Sequence, residues 1–177
     1  MLNNLVKLIE KMKRIYNEKK FDVYTKNFNK ITCLGKVNII NKNIKIGKNV
    51  ILYPNVSFEG NGNIEIGDNV KIGTNTILCA NQDGGIKIGE NTIIAGNNYI
   101  VDSNHLTAKE CVIQTQKLQS KKIEIGSDVW IGTNCSIISG TKINNGAVIG
   151  ASSLVNKEIR QYAIAFGIPA KVIRERK

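Results

Sequence analysis

The 177-residue sequence predicts an all-β fold in which short strands wind into a three-sided coil. Three observations indicate this fold: aliphatic residues recur every six positions, small residues follow them at a constant offset, and aromatic residues make up only 6% of the chain. A six-residue period matches neither an amphipathic helix nor an alternating strand. It suits a narrow prism of stacked turns, whose interior holds aliphatic side chains but few rings.

The repeat is clearest in the C-terminal half of the chain. Its aliphatic positions, which we expect to point into the coil, are Ile125, Ile131, Ile137, Ile143, Ile149 and Val155. Four residues after each of the first five comes a small or β-branched residue: Val129, Cys135, Thr141, Ala147 and Ser153. Glycine or asparagine directly follows many of the aliphatic residues, as at Gly89, and we expect it to adopt the positive φ of a tight corner.

In chain order the sequence predicts a short N-terminal helical segment (1–30), the coil (31–156) and a C-terminal basic segment (157–177). The repeat extends upstream to Ile46, and its phase slips at three places that predict insertions, near 59–65, 79–87 and 101–122. The last of these is expected to protrude as a loop.

The N-terminal helix is predicted from apolar residues at helical spacing: Leu5, Leu8, Ile9, Met12, Ile15 and Tyr16. We call these six residues the apolar stripe. Basic residues occupy much of the rest of the helix. The stripe is expected to pack on the coil of its own chain or on a neighbouring subunit. The alternative is a weak contact with a membrane surface.

The charge distribution argues against a nucleic-acid partner. The chain has 25 Lys and Arg against 14 Asp and Glu, a formal charge of +11, but the excess lies at its two ends. No base-reading motif accompanies it. One histidine and four scattered cysteines give no metal-ligand spacing, so no metal is expected. Without a recognisable signal peptide or membrane span, the sequence predicts a cytoplasmic protein with reduced thiols.

Three segments resemble the hexapeptide-repeat acyltransferases: IGSDVWIG (125–132), VIGASSLV (148–155) and GIPAKVIR (167–174). The resemblance covers roughly residues 31–177. Within this family, the C-terminal part of the chain is similar to the maltose- and galactoside-type sugar O-acetyltransferases and to those that modify capsule and O-antigen. It implies a left-handed parallel β-helix and a homotrimer with active sites between neighbouring coils. It also implies acetyl-CoA as cosubstrate and a sugar or polysaccharide precursor as acceptor.

His105, the single histidine, lies in the predicted loop 101–122. Acyl transfer to a hydroxyl needs a base near neutral pH, which histidine provides, and the resemblance implies that His105 is this base. Asp102 is predicted either to orient the imidazole or to form a turn with its own backbone. A covalent route through Cys111, in the same loop, is the competing mechanism. Cys135 and Cys79 are expected to be packing residues, inside the coil and at a corner respectively.

The resemblance also implies the residues that bind acetyl-CoA: Trp130, Gly132, Thr133, Ala151, Asn156, Lys157, Lys171 and Arg174. Trp130 precedes an inward isoleucine, so its ring is expected outside the coil. Lys171 and Arg174 would lie near the adenosine phosphates. The glycine and alanine positions could equally serve the fold alone. For the acceptor, the candidates are Asn81, Asp83 and Asn104, with ordinary loop positions as the alternative.

The sequence therefore predicts O-acetyl transfer from acetyl-CoA to a sugar hydroxyl. The first alternative is N-acetyl transfer to a nucleotide-linked amino sugar, and a distant one is a scaffold without catalytic activity. Serine and chloramphenicol O-acetyltransferases are less expected, because their additional signature segments are not recognisable.

Overall fold

The computed structural model describes residues 2–25, 29, 31–81 and 83–177. Helix α1 (Leu2–Thr25) comes first and short strands follow it. In chain order the strands are β1 (Ile31–Cys33), β2 (Asn38–Ile39), β3 (Ile44–Ile46), β4 (Val50–Leu52), β5 (Ser57–Gly60), β6 (Ile64–Ile66), β7 (Lys71–Ile72), β8 (Ile77–Ala80), β9 (Ile86–Ile88), β10 (Ile93–Ile94), β11 (Tyr99–Val101), β12 (Ser103–His105), β13 (Leu118–Ser120), β14 (Ile123–Ile125), β15 (Trp130–Ile131), β16 (Ser136–Ile138), β17 (Lys142–Ile143), β18 (Val148–Ile149), β19 (Leu154–Val155), β20 (Ala163–Gly167) and β21 (Ala170–Glu175). A short 3-10 helix spans Ile113–Thr115.

These strands stack into three parallel sheets, which form the three faces of a solenoid. Face A contains β1, β4, β7, β10, β15, β18 and β20, so the solenoid has seven turns in the described chain. Face B contains β2, β5, β8, β11, β16 and β19, and face C contains β3, β6, β9, β14 and β17. The predicted parallel β-helix is confirmed. Beyond the expected end of the coil at 156, β20 continues face A and β21 folds back antiparallel to it.

The stacking register places equivalent side chains above one another inside the solenoid. On face A one buried column runs through Leu52, Ile72, Ile94, Ile131 and Ile149. The small residues four positions after the repeat aliphatics are also buried: Val129, Cys135, Thr141, Ala147 and Ser153. The core is therefore a set of aliphatic columns, each filled by one residue per turn.

The predicted role of the repeat glycines is wrong. Positive φ is found three residues after the repeat aliphatic, at Asn49, Asn55, Asn69, Asn75, Asn91, Asn97, Asp128, Asn134 and Ser152, and not at the glycine that follows it directly. A Cβ on Gly89 would lie 2.5 Å from the backbone of Ser127, and one on Gly132 would lie 2.6 Å from the amide nitrogen of Ala151. Glycine is needed because stacked turns approach each other closely here.

The asparagines at the corners also join the turns. The side-chain amide of Asn55 donates to Asn75 (3.1 Å), and Asn75 donates to Asn97 (3.0 Å). A second ladder of this kind connects Asn49, Asn69 and Asn91. Asparagine is common in this chain partly because it tolerates positive φ and partly because stacked amides pair.

Helix α1 packs on the solenoid only through its C-terminal part. Phe21 is fully buried and meets Phe58 edge-on, with ring centroids 5.8 Å apart. The Glu18 carboxylate accepts a hydrogen bond from the Cys33 amide (3.3 Å). Burial, followed by the charges of Glu18 and Asp22, raises the pKa of the Cys33 thiol to about 12. The apolar stripe is exposed, so the predicted packing on the chain's own coil is wrong. The helix turns only its last turns toward β1 and β5 and leaves the stripe uncovered.

The predicted insertions fall at one edge of the solenoid, where the chain passes from face B to face C. The first two are short loops that precede β6 and β9. The third protrudes as predicted: β12 and β13 pair antiparallel and form a hairpin between β11 and β14. We call this edge the B–C edge, and the protrusion (101–122) the hairpin. The three loops stack on successive turns, which concentrates irregular backbone in one place.

Candidate active site

Asp102 lies at the base of the hairpin and is completely buried. Its carboxylate accepts hydrogen bonds from the backbone N–H of Asn81 (2.9 and 3.0 Å to the two oxygens), from the Asn81 side-chain amide (3.1 Å) and from the Gly85 N–H (2.5 Å). The Asn81 amide also donates to the Ser103 hydroxyl (2.8 Å). Asp102 therefore ties the hairpin to the loop of the preceding turn.

The hydrogen bond by which Asp102 would orient the imidazole of His105 is not formed in this structure. The carboxylate is directed toward the 81–85 loop, and its partners are Asn81 and Gly85. This arrangement also differs from the alternative prediction, a turn with its own backbone, because the donors belong to a neighbouring turn. The geometry assigns Asp102 a positioning role in the base of the hairpin.

His105 is exposed on β12, opposite Leu118 of β13. The hairpin that carries it is fixed at its base, where the Lys121 N–H donates to the Asp102 carbonyl (2.8 Å) and the Asp102 N–H donates to the Cys79 carbonyl (3.2 Å). Asn104 is exposed beside His105. The imidazole thus stands exposed to solvent on a hairpin that is fixed at its base.

Three residues lie on the outer surface of face B, near the hairpin: Glu59, Cys79 and Tyr99. Sequence reasoning missed Glu59 and Tyr99, and it assigned Cys79 a packing role at a corner. Burial, followed by the charges of Cys79 and Glu59, raises the pKa of the Tyr99 hydroxyl. The pKa of the Cys79 thiol is raised as well, mainly by burial and then by the charges of Glu59 and Asp102. A hydrogen bond from the Asn81 side chain lowers this pKa, but by less than the other causes raise it. Cys79 lies in strand β8 and not at a corner as predicted. Their position in the sequence could have indicated this surface, because each is one residue from an inward aliphatic or aromatic side chain and lies near a predicted insertion.

The other thiols have different environments. Cys135 is buried inside the solenoid as predicted, and burial is the main cause of its raised pKa. Cys111 is exposed near the tip of the hairpin, where its carbonyl accepts a hydrogen bond from the Gln116 side chain (2.9 Å). Cys111 is therefore the accessible thiol of the hairpin.

Part of the predicted acetyl-CoA set lies together along face A and its edge with face B. Trp130 is 55% exposed and points outward as predicted, between Ile93 and Val148 of the adjacent strands. Gly132 and Thr133 follow it, and Ala151 lies one turn above them. Together they form a shallow strip with small side chains and one indole.

The remaining members of that set lie elsewhere. Lys171 and Arg174 are exposed on β21, at the last turn of face A. Asn156 and Lys157 follow β19 and lie at the B–C edge, on the same side as Asn81, Asp83 and the hairpin. One face of about six residues separates the two edges, roughly 20 Å. A single chain therefore does not bring all predicted cofactor residues together.

The outer surfaces of faces A and C differ in charge. Across face C, basic and acidic residues alternate in register through Lys45, Glu65, Lys87, Glu124 and Lys142. A hydrogen bond from Lys122 is the main cause that lowers the pKa of Glu124. Face A instead presents a row that is apolar except for one lysine: Ile51, Lys71, Ile93, Trp130, Val148 and Ile164. Face C is thus a row of alternating charges, and face A is the more apolar of the two.

Within the described ranges, no group of three or more His, Cys, Asp or Glu side chains could hold a metal ion. In the same part of the chain, no helix combines the length and apolar character that a membrane-spanning helix needs.

Parts of the chain match a protein family and several known proteins. Residues 122–157 match the family of the bacterial transferase hexapeptide (six repeats). A putative lipopolysaccharide biosynthesis O-acetyl transferase, WbbJ of Escherichia coli, is 33% identical over 90 residues, which is 46% of this chain and 46% of that protein. A chloramphenicol acetyltransferase of Klebsiella aerogenes is 54% identical over 52 residues, 29% of this chain and 25% of that protein. The matched segments thus span from a quarter to less than half of these relatives.

Solved structures show the same fold over most of the chain. A mutant of AntD, an N-acyltransferase from Bacillus cereus, in complex with dTDP-4-amino-4,6-dideoxyglucose and coenzyme A, superimposes with a TM-score of 0.77. It is 22% identical, and the alignment covers 90% of this chain and 89% of that one. The family match and the solenoid confirm the resemblance: the chain carries the hexapeptide repeat of bacterial transferases on a parallel β-helix.

Proposed function

We propose that this protein is an acetyl-CoA-dependent O-acetyltransferase that acts on a hydroxyl of a sugar or polysaccharide precursor. The observation that carries the proposal is the position of His105. The single histidine of the chain stands exposed on a hairpin that is fixed to a rigid solenoid by a buried carboxylate. WbbJ, a relative named for O-acetyl transfer in lipopolysaccharide biosynthesis, supports the type of acceptor.

In the proposed reaction His105 accepts the proton of the acceptor hydroxyl on an unprotonated imidazole nitrogen. The acceptor oxygen forms a bond to the carbonyl carbon of the thioester, and the carbon–sulfur bond breaks. The imidazolium then gives its proton to the leaving sulfur, so that the products are an acetyl ester and a free thiol. The acetyl-CoA cosubstrate supplies the acetyl group as a thioester. Asn81, Asp83 and Asn104 lie at the same edge, and we propose that they bind the acceptor.

We further propose that the enzyme is a homotrimer whose active site lies between two chains. Trp130, Gly132, Thr133 and Ala151 would hold the pantetheine arm, because their strip offers an exposed indole and little steric obstruction. Lys171 and Arg174 would bind the phosphates. Asn156 and Lys157 lie at the B–C edge and would complete the site from a neighbouring chain. The row on face A supports this assembly, since two of its large apolar side chains, Ile93 and Trp130, are exposed in the single chain.

N-acyl transfer to a nucleotide-linked amino sugar is the second candidate. It is supported by the extent of the likeness to AntD, which covers 90% of this chain. The same base and cosubstrate would serve, and only the acceptor differs. The use of acetyl-CoA would place either activity in the cytoplasm, where that cosubstrate is made.

Release of free thiol from acetyl-CoA, measured against sugars, nucleotide-linked sugars and amino sugars, tests both candidates. Wild type should turn over with a hydroxyl acceptor, and His105→Ala should lose about 100-fold or more of kcat. Leu118→Ala, on the strand opposite His105, is the control for damage to the hairpin. Preference for an amino sugar would favour the second candidate. Equal rates in wild type and His105→Ala would refute the role of His105.

A further inference from the structure

The apolar stripe of α1 has no cover in the described chain. Its six side chains are between 40% and 66% exposed, and they extend from Leu5 to Tyr16 along the helix. At 1.5 Å per residue this is a strip of about 17 Å. Scattered exposed apolar residues are ordinary, but a continuous strip of this length on one helix face indicates a binding surface.

The attachment of the helix leaves this strip free. Contact with the solenoid is made near the C-terminal end, by Phe21 against Phe58 and by Glu18 at the Cys33 amide. The stripe lies entirely N-terminal to these contacts. The N-terminal turns of α1 are therefore held by one end and present their apolar face outward.

Basic side chains occupy much of the helix outside the stripe. Between the helix and the loop after β1 lies a groove of about 1120 Å³, whose basic lining residues are Lys7, Lys11, Lys13, Arg14, Lys20 and Lys36. Glu10 is the acidic residue among the lining side chains. The other two acids of the helix are near its attached end: Glu18 binds the Cys33 amide, and burial raises the pKa of Asp22. The unattached part of the helix is therefore strongly basic as well as apolar.

We propose that α1 docks on an anionic membrane surface. The stripe would lie at the boundary between headgroups and acyl chains, and the lysines beside it would contact lipid phosphates. A second copy of α1 fits this surface less well. Two such helices packed stripe to stripe would place like charges beside each other, with Glu10 as the nearby acid to pair them. This inference does not depend on the acyl-transfer chemistry.

Flotation of the full-length protein with vesicles tests the proposal. Wild type should float with vesicles of phosphatidylcholine mixed with phosphatidylglycerol and stay unbound with phosphatidylcholine alone. Lys7→Glu/Lys11→Glu should reduce binding roughly tenfold or more, and added salt should weaken wild-type binding. Leu8→Gln/Met12→Gln should also reduce it, because both side chains belong to the stripe. Matched controls elsewhere are Lys109→Glu in the hairpin and Ile40→Gln on the first turn, both exposed.

Each alternative has its own result. Wild type that does not float with anionic vesicles would overturn the proposal, as would flotation that the charge and stripe variants leave unchanged. If the stripe variants instead reduce the mass of the assembly in sedimentation, and wild type does not bind vesicles, the stripe is an interface between copies of this chain. All of these variants should unfold at the same midpoint as wild type, because every substituted side chain is exposed.

Discussion

Replacing Asp102 with asparagine should destabilise the protein and loosen the hairpin that carries His105. The wild-type carboxylate accepts from three N–H donors, two on Asn81 and one on Gly85, in a site without solvent exposure. Asparagine offers a single oxygen. If that oxygen serves Asn81, the new amide group faces the Gly85 N–H and leaves a buried donor without an acceptor.

The cost follows from these contacts. An unsatisfied buried donor costs about 1–3 kcal/mol, and the loss of a charged acceptor adds to it, so we expect about 2–4 kcal/mol in total. For a chain of this size, each kcal/mol lowers Tm by about 2–4 °C, which gives a fall of roughly 10 °C. Because the hairpin base also loosens, kcat should fall as well.

Thermal unfolding of wild type, Asp102→Asn and Asp83→Asn measures this effect. Asp83 is an exposed aspartate in the loop that Asp102 binds, so its substitution controls for the change in charge and should leave Tm nearly unchanged. A Tm for Asp102→Asn equal to that of wild type would refute the reasoning. If kcat then fell alone, with Tm and KM unchanged, Asp102 would orient the His105 imidazole after all.

Three further outcomes are expected. Gly89→Ala should cost about 1–3 kcal/mol of unfolding free energy, because its Cβ would lie 2.5 Å from the backbone of the next turn. Denaturant unfolding checks this against Gly96→Ala, whose nearest contact is 3.0 Å, and equal midpoints would contradict it. Glu124→Gln should lower stability by less than about 1 kcal/mol at neutral pH, because the hydrogen bond from Lys122 lowers the pKa of the carboxyl below its ordinary 4.5. That stabilisation is present above pH 4.5 and is lost as the pH falls through the lowered pKa of Glu124. If the variant and wild type still differed in stability in acid, this explanation would be wrong. Cys111, the exposed thiol, should react first with a thiol reagent, and Cys111→Ser should keep full turnover. Loss of turnover in this variant would favour the acyl-cysteine route.

The site was only partly predictable from the sequence. His105 could be found because it is the single histidine and interrupts a regular repeat, and the outward position of Trp130 follows from its place beside an inward isoleucine. The partners of Asp102 could not be found in this way. They belong to the loop of the preceding turn, about twenty residues earlier in the chain, and only the stacking of the turns brings the two loops together. The same stacking assigns Asn156 to the B–C edge and Trp130 to face A.

The sequence by itself determined the solenoid and its inward columns. A six-residue period of aliphatic side chains can be buried only if each repeat stacks on the next. Two features are explained only by the tertiary structure: the need for glycine directly after the aliphatic residue, and which part of helix α1 is buried. Gly89 is required by the backbone of a neighbouring turn, and a local pattern contains no information about that distance. Likewise, helical periodicity shows that α1 has an apolar face, but which part of the helix is covered depends on where Phe21 attaches it to the first turns.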